Sequence, residues 1–270
     1  MQDGPSLVRS GQLLYTNDVG SDACGIGGVA SKDGKPSAEV VKRSLTALVA
    51  MEHRGGVCGK SGDGAGITLQ LPQAYFRAVL GTHAPTARVT AADTLGVGVV
   101  FVVESDPAKI EAARQMVTEA LRGGPVELLA IRPVPTNDDA LPKAARDTKP
   151  GAIDHFVFKV TGDPAAADKW LFRRRLELRH RLTQAGLNAY VCSLSARLIS
   201  YKGLLTSPQL VDFFPDLTAP GFESGITSFH RRYSTNTFPN WKLAQPFRYT
   251  CHNGEINTVR TNRGLVSSPL

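Results

Sequence analysis

Cys24, followed at once by Gly25-Ile26-Gly27-Gly28, is the residue that most restricts what this chain can become. A thiol at the head of a short, apolar, glycine-rich run reads in two ways. As an ordinary free cysteine it is a small buried hydrophobe in a strand. As a nucleophile it becomes the first residue once the polar, turn-rich residues 1–23 are cut away as a leader, and it then carries its own base. A free α-amino group titrates near ~8, so a fraction is unprotonated at neutral pH and takes the thiol proton directly or through a water. The second reading leaves residues 24–270 as the working domain.

Composition narrows the classes. With 42% hydrophobic and 20% charged residues, the 270-residue chain suits one large or two small globular domains. The longest apolar run, 97–103, is strand-length, far short of the ~20 residues that span a bilayer. Met1-Gln2-Asp3-Gly4-Pro5 has neither the basic nor the apolar part of a secretory signal. Cys24, Cys58, Cys192 and Cys251 form no C-x-x-C pair, so zinc-ribbon and redox-dithiol patterns are absent and a reducing cytoplasm is the expected compartment. A net charge of +7 raises nucleic acid as a partner. The densest basic stretch, 173–181, nevertheless keeps Leu171, Leu178 and Leu182 on one side of a helical wheel, which makes it the wet face of an amphipathic helix. No RNP, zinc-finger or helix-turn-helix pattern stands beside it. Neither nucleic acid nor membrane is expected as a partner.

Periodicity sketches the elements. An apolar run at 26–30 meets a turn at 32–36, and Ser37 then caps a helix with Glu39 in its first turn and Val41, Leu45, Leu48 and Val49 on its apolar side, as far as about His53. Gly55-Gly56 and 61–66 read as loop and 67–71 as strand. A valine-rich strand at 96–104, a helix from Asp106-Pro107 with Ile110, Ala113, Val117 and Leu121 at the 3.6 period, a stop at Gly123-Gly124 and a strand at 127–134 make a β–α–β unit. Residues 133–150 read as a surface loop, 153–160 as strand, Asp163-Pro164 to Ala185-Gly186 as the basic helix, and 188–194 and 197–201 as two further strands. Local pattern alone therefore gives a mixed, layered α/β protein.

The chemistry gathers in the last quarter. There stand Phe229-His230-Arg231-Arg232-Tyr233-Ser234-Thr235-Asn236-Thr237, then Gln245-Pro246-Phe247-Arg248, then His252-Asn253-Gly254-Glu255-Ile256-Asn257-Thr258. Singly these are ordinary: Arg231-Arg232 is surface charge and Asn253-Gly254 a turn. Together with the upstream Cys-Gly-Ile-Gly, with Ala50-Met51-Glu52-His53-Arg54-Gly55-Gly56, with the 61–67 glycine loop, and with Ser193-Leu194-Ser195 and Tyr201-Lys202-Gly203-Leu204-Leu205-Thr206, they resemble the class II glutamine amidotransferase domain. The resemblance is nearest to the domain at the head of glutamate synthases and runs from about residue 22 to 263.

That resemblance implies an α+β fold, the Ntn-hydrolase four-layer αββα sandwich with antiparallel sheets between helical layers. It implies that Cys24 attacks the side-chain amide of L-glutamine, and that the Asn253 side chain and the Gly254 N–H receive the oxyanion. Arg232 would clamp the substrate α-carboxylate with a planar fork, and Thr235 would back the same pocket. Glutamate and ammonia would be the products, the ammonia serving glutamate formation from 2-oxoglutarate in a separate synthase region or subunit. FMN and an iron–sulfur cluster are expected in that region, with no cofactor and no metal in this chain.

The sequence departs from the family pattern at its end. Thr261 stands where the family has glycine, and 264–270 look unrelated. The acidic residue that binds the glutamine amino group and the remaining strands are not reached, so an incomplete domain is expected. A non-catalytic remnant or interaction module is therefore a competing reading. Another N-terminal-cysteine hydrolase acting on a different amide is a third, opposed by Arg232 beside Tyr233-Ser234-Thr235 together with Asn253-Gly254. The 61–66 loop lacks the Gly-Lys-Ser/Thr of a phosphate loop. Cys251-His252 as a catalytic or metal pair has strand alternation against it. The six histidines show no zinc spacing, and no spacing brings Asp63 and Glu255 together as paired carboxylates.

Overall fold

A computed structural model describes residues 24–58, 61–234, 238–248 and 250–252; the leader, Thr235, Asn253, Gly254, Glu255 and Thr261 lie outside the described residues. In chain order the elements are β1 (Gly25–Ala30), α1 (Ala38–Ala50), β2 (Val57–Cys58), β3 (Ser61–Gly62), β4 (Ala65–Gln70), α2 (Gln73–His83), β5 (Leu95–Val102) and α3 (Pro107–Leu121). There follow β6 (Val126–Pro133), α4 (Lys143–Asp147), β7 (Ala152–Val160), α5 (Pro164–Gln184), β8 (Ala189–Ser195), β9 (Leu198–Gly203), α6 (Ser207–Phe213) and β10 (Ile226–Arg231). Two four-stranded sheets carry the architecture, ordered β1-β10-β4-β9 and β6-β7-β5-β8, with β2 and β3 paired as a small ribbon. Every pairing is antiparallel.

The helix ends follow their local chemistry. Ser37 Oγ accepts the Val40 N–H at 3.3 Å, and Asp106 and Asp163, each followed by proline, accept the N–H groups of Ala108 and Ala166. Gly123, just past α3, takes φ +73, which a glycine adopts without penalty. The apolar side of α5 is as its spacing predicts: Leu171, Leu178 and Leu182 are buried.

Strand β5, Leu-Gly-Val-Gly-Val-Val-Phe-Val, is buried along its whole length because both faces are covered. On one face Val100 and Val102, with Phe156 and Phe158 of β7, pack on Ala113 and Val117 of α3 and Leu171 and Leu178 of α5. On the other, Val97, Val99 and Phe101 join a core shared with Ile67, Tyr201 and Phe229 of the first sheet, Leu45 and Leu48 of α1, and Leu210 and Phe213 of α6.

Three expectations are corrected. The β5–α3–β6 unit does not pair its own strands, because β7 inserts between them and both pairings become antiparallel. Periodicity sees each strand but not its partner, so the α/β reading gives way to the α+β one. The 133–150 stretch is not merely surface loop: it holds α4 and sends Val134, Leu141 and Ala145 into the shared core. Helices α2 and α6 and strand β10 stand where the sequence reading drew no element.

A buried ion pair ties these parts together. Asp216 accepts both ends of the Arg132 fork, at 2.9 and 3.0 Å, and also the hydroxyls of Tyr75 at 2.6 Å and Tyr201 at 2.9 Å. Burial by itself would raise the Asp216 carboxyl, but the Arg132 guanidinium, the His155 ring and the Tyr75 hydroxyl together outweigh it and hold the group below its ordinary value. Replacing Asp216 by Asn leaves a buried guanidinium uncompensated. Asp216→Asn should lower the unfolding free energy by about 3 kcal/mol in urea titrations. Because the folded-state value is depressed, the contribution is complete above the ordinary carboxylate range and is lost as pH falls through the folded value. The parent's advantage over Asp216→Asn should therefore shrink below about pH 4.

Candidate active site

The register of the first sheet brings four strand ends to one place. Gly25, first of β1, lies opposite Arg231, last of β10; Arg231 lies opposite Ala65, first of β4; and Ala65 lies opposite Gly203, last of β9. The residues just beyond these ends therefore meet: Cys24, Arg232-Tyr233 and Asp63-Gly64. Cys24, half-buried, donates from Sγ to the Tyr233 carbonyl at 3.4 Å and accepts the Tyr233 N–H at 3.2 Å. These two bonds fix the sulfur against the Tyr233 backbone.

Arg232 is fixed at its backbone and buried at its side chain. Its N–H donates to the Gly64 carbonyl at 2.8 Å and its carbonyl accepts the Gly56 N–H at 3.1 Å. Its Nη1 donates to the Asp63 carbonyl at 3.4 Å. Burial lowers the guanidinium below its ordinary value, while the charges of Asp63 and Cys24 act to restore it. The arginine thus sits buried beside the thiol, with a planar fork of the kind that suits an anionic group. Asp63, also buried, accepts the Ser234 N–H at 2.6 Å and donates its own N–H to the Gly56 carbonyl at 3.0 Å. It shapes the turn that carries Tyr233.

Neither arginine of the pair is surface charge, since both are buried. Arg231 faces away from the thiol and is fully buried, with Nε and Nη2 on the two oxygens of Glu52 at 2.9 and 2.7 Å. Glu52 stands just past α1 and also accepts the Ser207 N–H of α6 at 2.8 Å. The Gly55-Gly56 pair is there for close approach. A Cβ at Gly55 would lie 2.1 Å from Arg231 Cζ, and one at Gly56 2.1 Å from Asp63 Oδ2. Sequence reasoning quoted the Glu-His-Arg-Gly-Gly motif without giving Glu52 a role. A carboxylate three residues before a double glycine was the signal available.

Cys192 and Cys251 are poor nucleophiles. Burial pushes the Cys192 thiol up to about 12 and that of Cys251 up to about 11. Cys251 and His252 form no catalytic pair: Cys251 Sγ points to the Phe229 carbonyl at 3.9 Å, and the His252 carbonyl meets His230 Nε2 at 2.8 Å. Among the described residues no group of three or more His, Cys, Asp or Glu side chains converges as a metal site, and no helix is long and apolar enough to cross a membrane.

The family model of the class-II glutamine amidotransferases matches residues 24–268, beginning at the thiol that the sheet register singles out. The chain belongs to this family. Its two antiparallel sheets with their helices are the Ntn-hydrolase arrangement of these amidotransferases. The domain is 42% identical to the glutamate synthase [NADPH] large chain of Azospirillum brasilense, across 92% of this chain and 16% of that protein. It is 38% identical to the ferredoxin-dependent glutamate synthase 1 of Arabidopsis thaliana, across 98% and 16%, and 35% identical to the Bacillus subtilis large chain, across 93% and 16%. The chain thus spans about a sixth of the length of these curated relatives. The remnant reading is the less favoured one.

The two arginines should separate experimentally. Arg231→Lys keeps the charge but loses the two-pronged bond to Glu52, and should cost about 2–4 kcal/mol in urea unfolding. Arg232→Lys should cost less than half as much.

Proposed function

We propose that this chain hydrolyses the side-chain amide of L-glutamine and supplies the ammonia to a glutamate-forming reaction. The observation that carries the reading is the meeting of Cys24 Sγ with the Tyr233 backbone beside buried Arg232, some two hundred residues away in sequence. Removal of residues 1–23 frees the Cys24 amine to act as the base. Sγ then bonds to the amide carbon of glutamine while Arg232 holds the α-carboxylate, with Thr235 behind it. The oxyanion is assigned to the Asn253 side chain and the Gly254 N–H. Collapse of the tetrahedral intermediate passes a proton to nitrogen and expels ammonia, leaving a γ-glutamyl thioester on Cys24. Water cleaves the thioester to glutamate and regenerates the thiol.

An iron–sulfur cluster does not fit Cys192 and Cys251. A cluster needs several thiolates, whereas burial holds Cys192 and Cys251 as thiols on separate elements. FMN and an iron–sulfur cluster are both assigned, with 2-oxoglutarate, to a synthase region apart from this chain. The free thiols suit a cytoplasmic setting.

The purified protein should convert glutamine to glutamate and ammonia, and Cys24→Ala should abolish this. Arg232→Met should raise KM about 10–100-fold, the worth of one charge-assisted clamp, with kcat within about threefold. Asn253→Ala should instead lower kcat about 10²–10³-fold. Intact-mass analysis should find an N-terminus at Cys24 and one adduct of 6-diazo-5-oxo-L-norleucine there. No adduct and no turnover would overturn the reading, and preference for a different amide would point to another hydrolase.

A further inference from the structure

One transverse row of the first sheet runs Ile26, His230, Gly66, Lys202, each residue directly opposite the next. Directly opposed residues share a face, so the His230 and Lys202 side chains rise on either side of a glycine that has none. The segment following Trp241 lies across this gap. A Cβ on Gly66 would stand 2.5 Å from the Gln245 carbonyl oxygen, so the segment rests on bare backbone there.

Lys202 holds one end of it. The ammonium is fully buried and donates to the carbonyls of Lys242 at 3.0 Å and Ala244 at 2.8 Å, and to the Tyr190 hydroxyl at 3.2 Å. It also lies over the rings of Tyr190 and Phe247, 4.7 and 4.5 Å from their centroids. Burial lowers it to about 8, and none of these partners is a carboxylate. His230 holds the other end. Burial lowers its ring to about 4, so it is neutral, and its 2.8 Å bond to the His252 carbonyl requires the proton on Nε2. Between the two clamps the segment is closed on itself: Phe247 and Thr250 exchange backbone bonds at 2.9 and 3.2 Å, and Gln245 Oε1 accepts the His252 N–H at 3.4 Å.

We infer that His230, Gly66 and Lys202 form a cradle of positioning residues that fixes the 242–252 strap relative to Cys24, and with it the peptide entering Asn253. The inference rests on the glutaminase reading for its catalytic consequence only. The strap itself is defined by bonds among described residues. None of the three residues touches the reacting atoms, so their effect is on geometry: a displaced oxyanion donor costs rate without costing substrate affinity.

The test compares His230→Leu, His230→Gln, Lys202→Met and Gly66→Ala in the full chain, using amide hydrogen exchange, glutamine kinetics and iodoacetamide alkylation of Cys24. His230→Leu and Lys202→Met should speed exchange in the strap at least about tenfold. They should lower kcat about 10–100-fold, with KM within about threefold and alkylation within about twofold. His230→Gln, which restores a donor, should recover much of the kcat lost in His230→Leu. Should Lys202→Met fail to fold, Gly66→Ala carries the test, since it deletes no bonding group and instead presses a methyl against the Gln245 carbonyl and Lys202 Cβ, 2.5 and 2.6 Å away. Unchanged strap exchange in variants that melt cooperatively overturns the cradle. Faster exchange with unchanged kcat, or a parallel fall in alkylation and kcat, overturns its positioning role. If the parent chain does not turn over glutamine, the glutaminase reading fails by itself, and strap exchange alone then decides for or against the cradle.

Discussion

A guanidinium without solvent must find a partner for each of its five N–H bonds, and Arg231 does. Nε meets Glu52 Oε2, Nη2 meets Glu52 Oε1 and the Gly56 carbonyl, and Nη1 meets the carbonyls of Gly64 and Arg232. Those acceptors come from the turn after α1, the glycine pair, the start of β4 and the end of β10, so one side chain fastens four stretches of chain. Leaving any of these bonds unmade inside the protein is expensive, which makes the arrangement all-or-none rather than gradual. The fork geometry that meets two carboxylate oxygens together with three carbonyls belongs to arginine alone.

Strand alternation then divides the labour along β10. His230 and Arg232 lie two apart and share the face that holds the strap and the thiol, while Arg231 between them points to the opposite side. Three consecutive basic residues thus stand in three settings: His230 meets the His252 carbonyl, Arg231 fastens the loops, and Arg232 lies beside the thiol. Cys24 needs no loop of its own, because the β1–β10 ladder ends where Arg232 and Tyr233 begin.

What the sequence disclosed depended on range. Helix α1, helix α3 and the basic helix were legible because cap, proline and 3.6 period agreed within one window. Helix α2 was not: Pro72 makes no side-chain cap, and Phe76 and Leu80 are its only buried side chains. Helix α6 did carry a sign, since Thr206 and Gln209 form a capping box, but seven residues leave little period to read. The site was read through motifs, and Cys24 and Arg232 do converge. The family resemblance singled out Arg232, whereas local pattern could not separate it from Arg231, because which of two adjacent side chains lies beside the thiol depends on the register of strands far apart in sequence. Glu52 and Lys202 were invisible as roles for the same reason: each acts on a segment 155 or 40 residues away. Thr235, Asn253 and Gly254 fall outside the described residues.

The thiol heads a strand that lies outermost in its sheet, with β10 its only hydrogen-bonded neighbour among the described strands. Among the described residues the ladder starts at Gly25, so Cys24 stands one step outside it and its sulfur is held by the Tyr233 backbone instead. A group carried on the rim of a frame takes its position from that frame without belonging to its pairing.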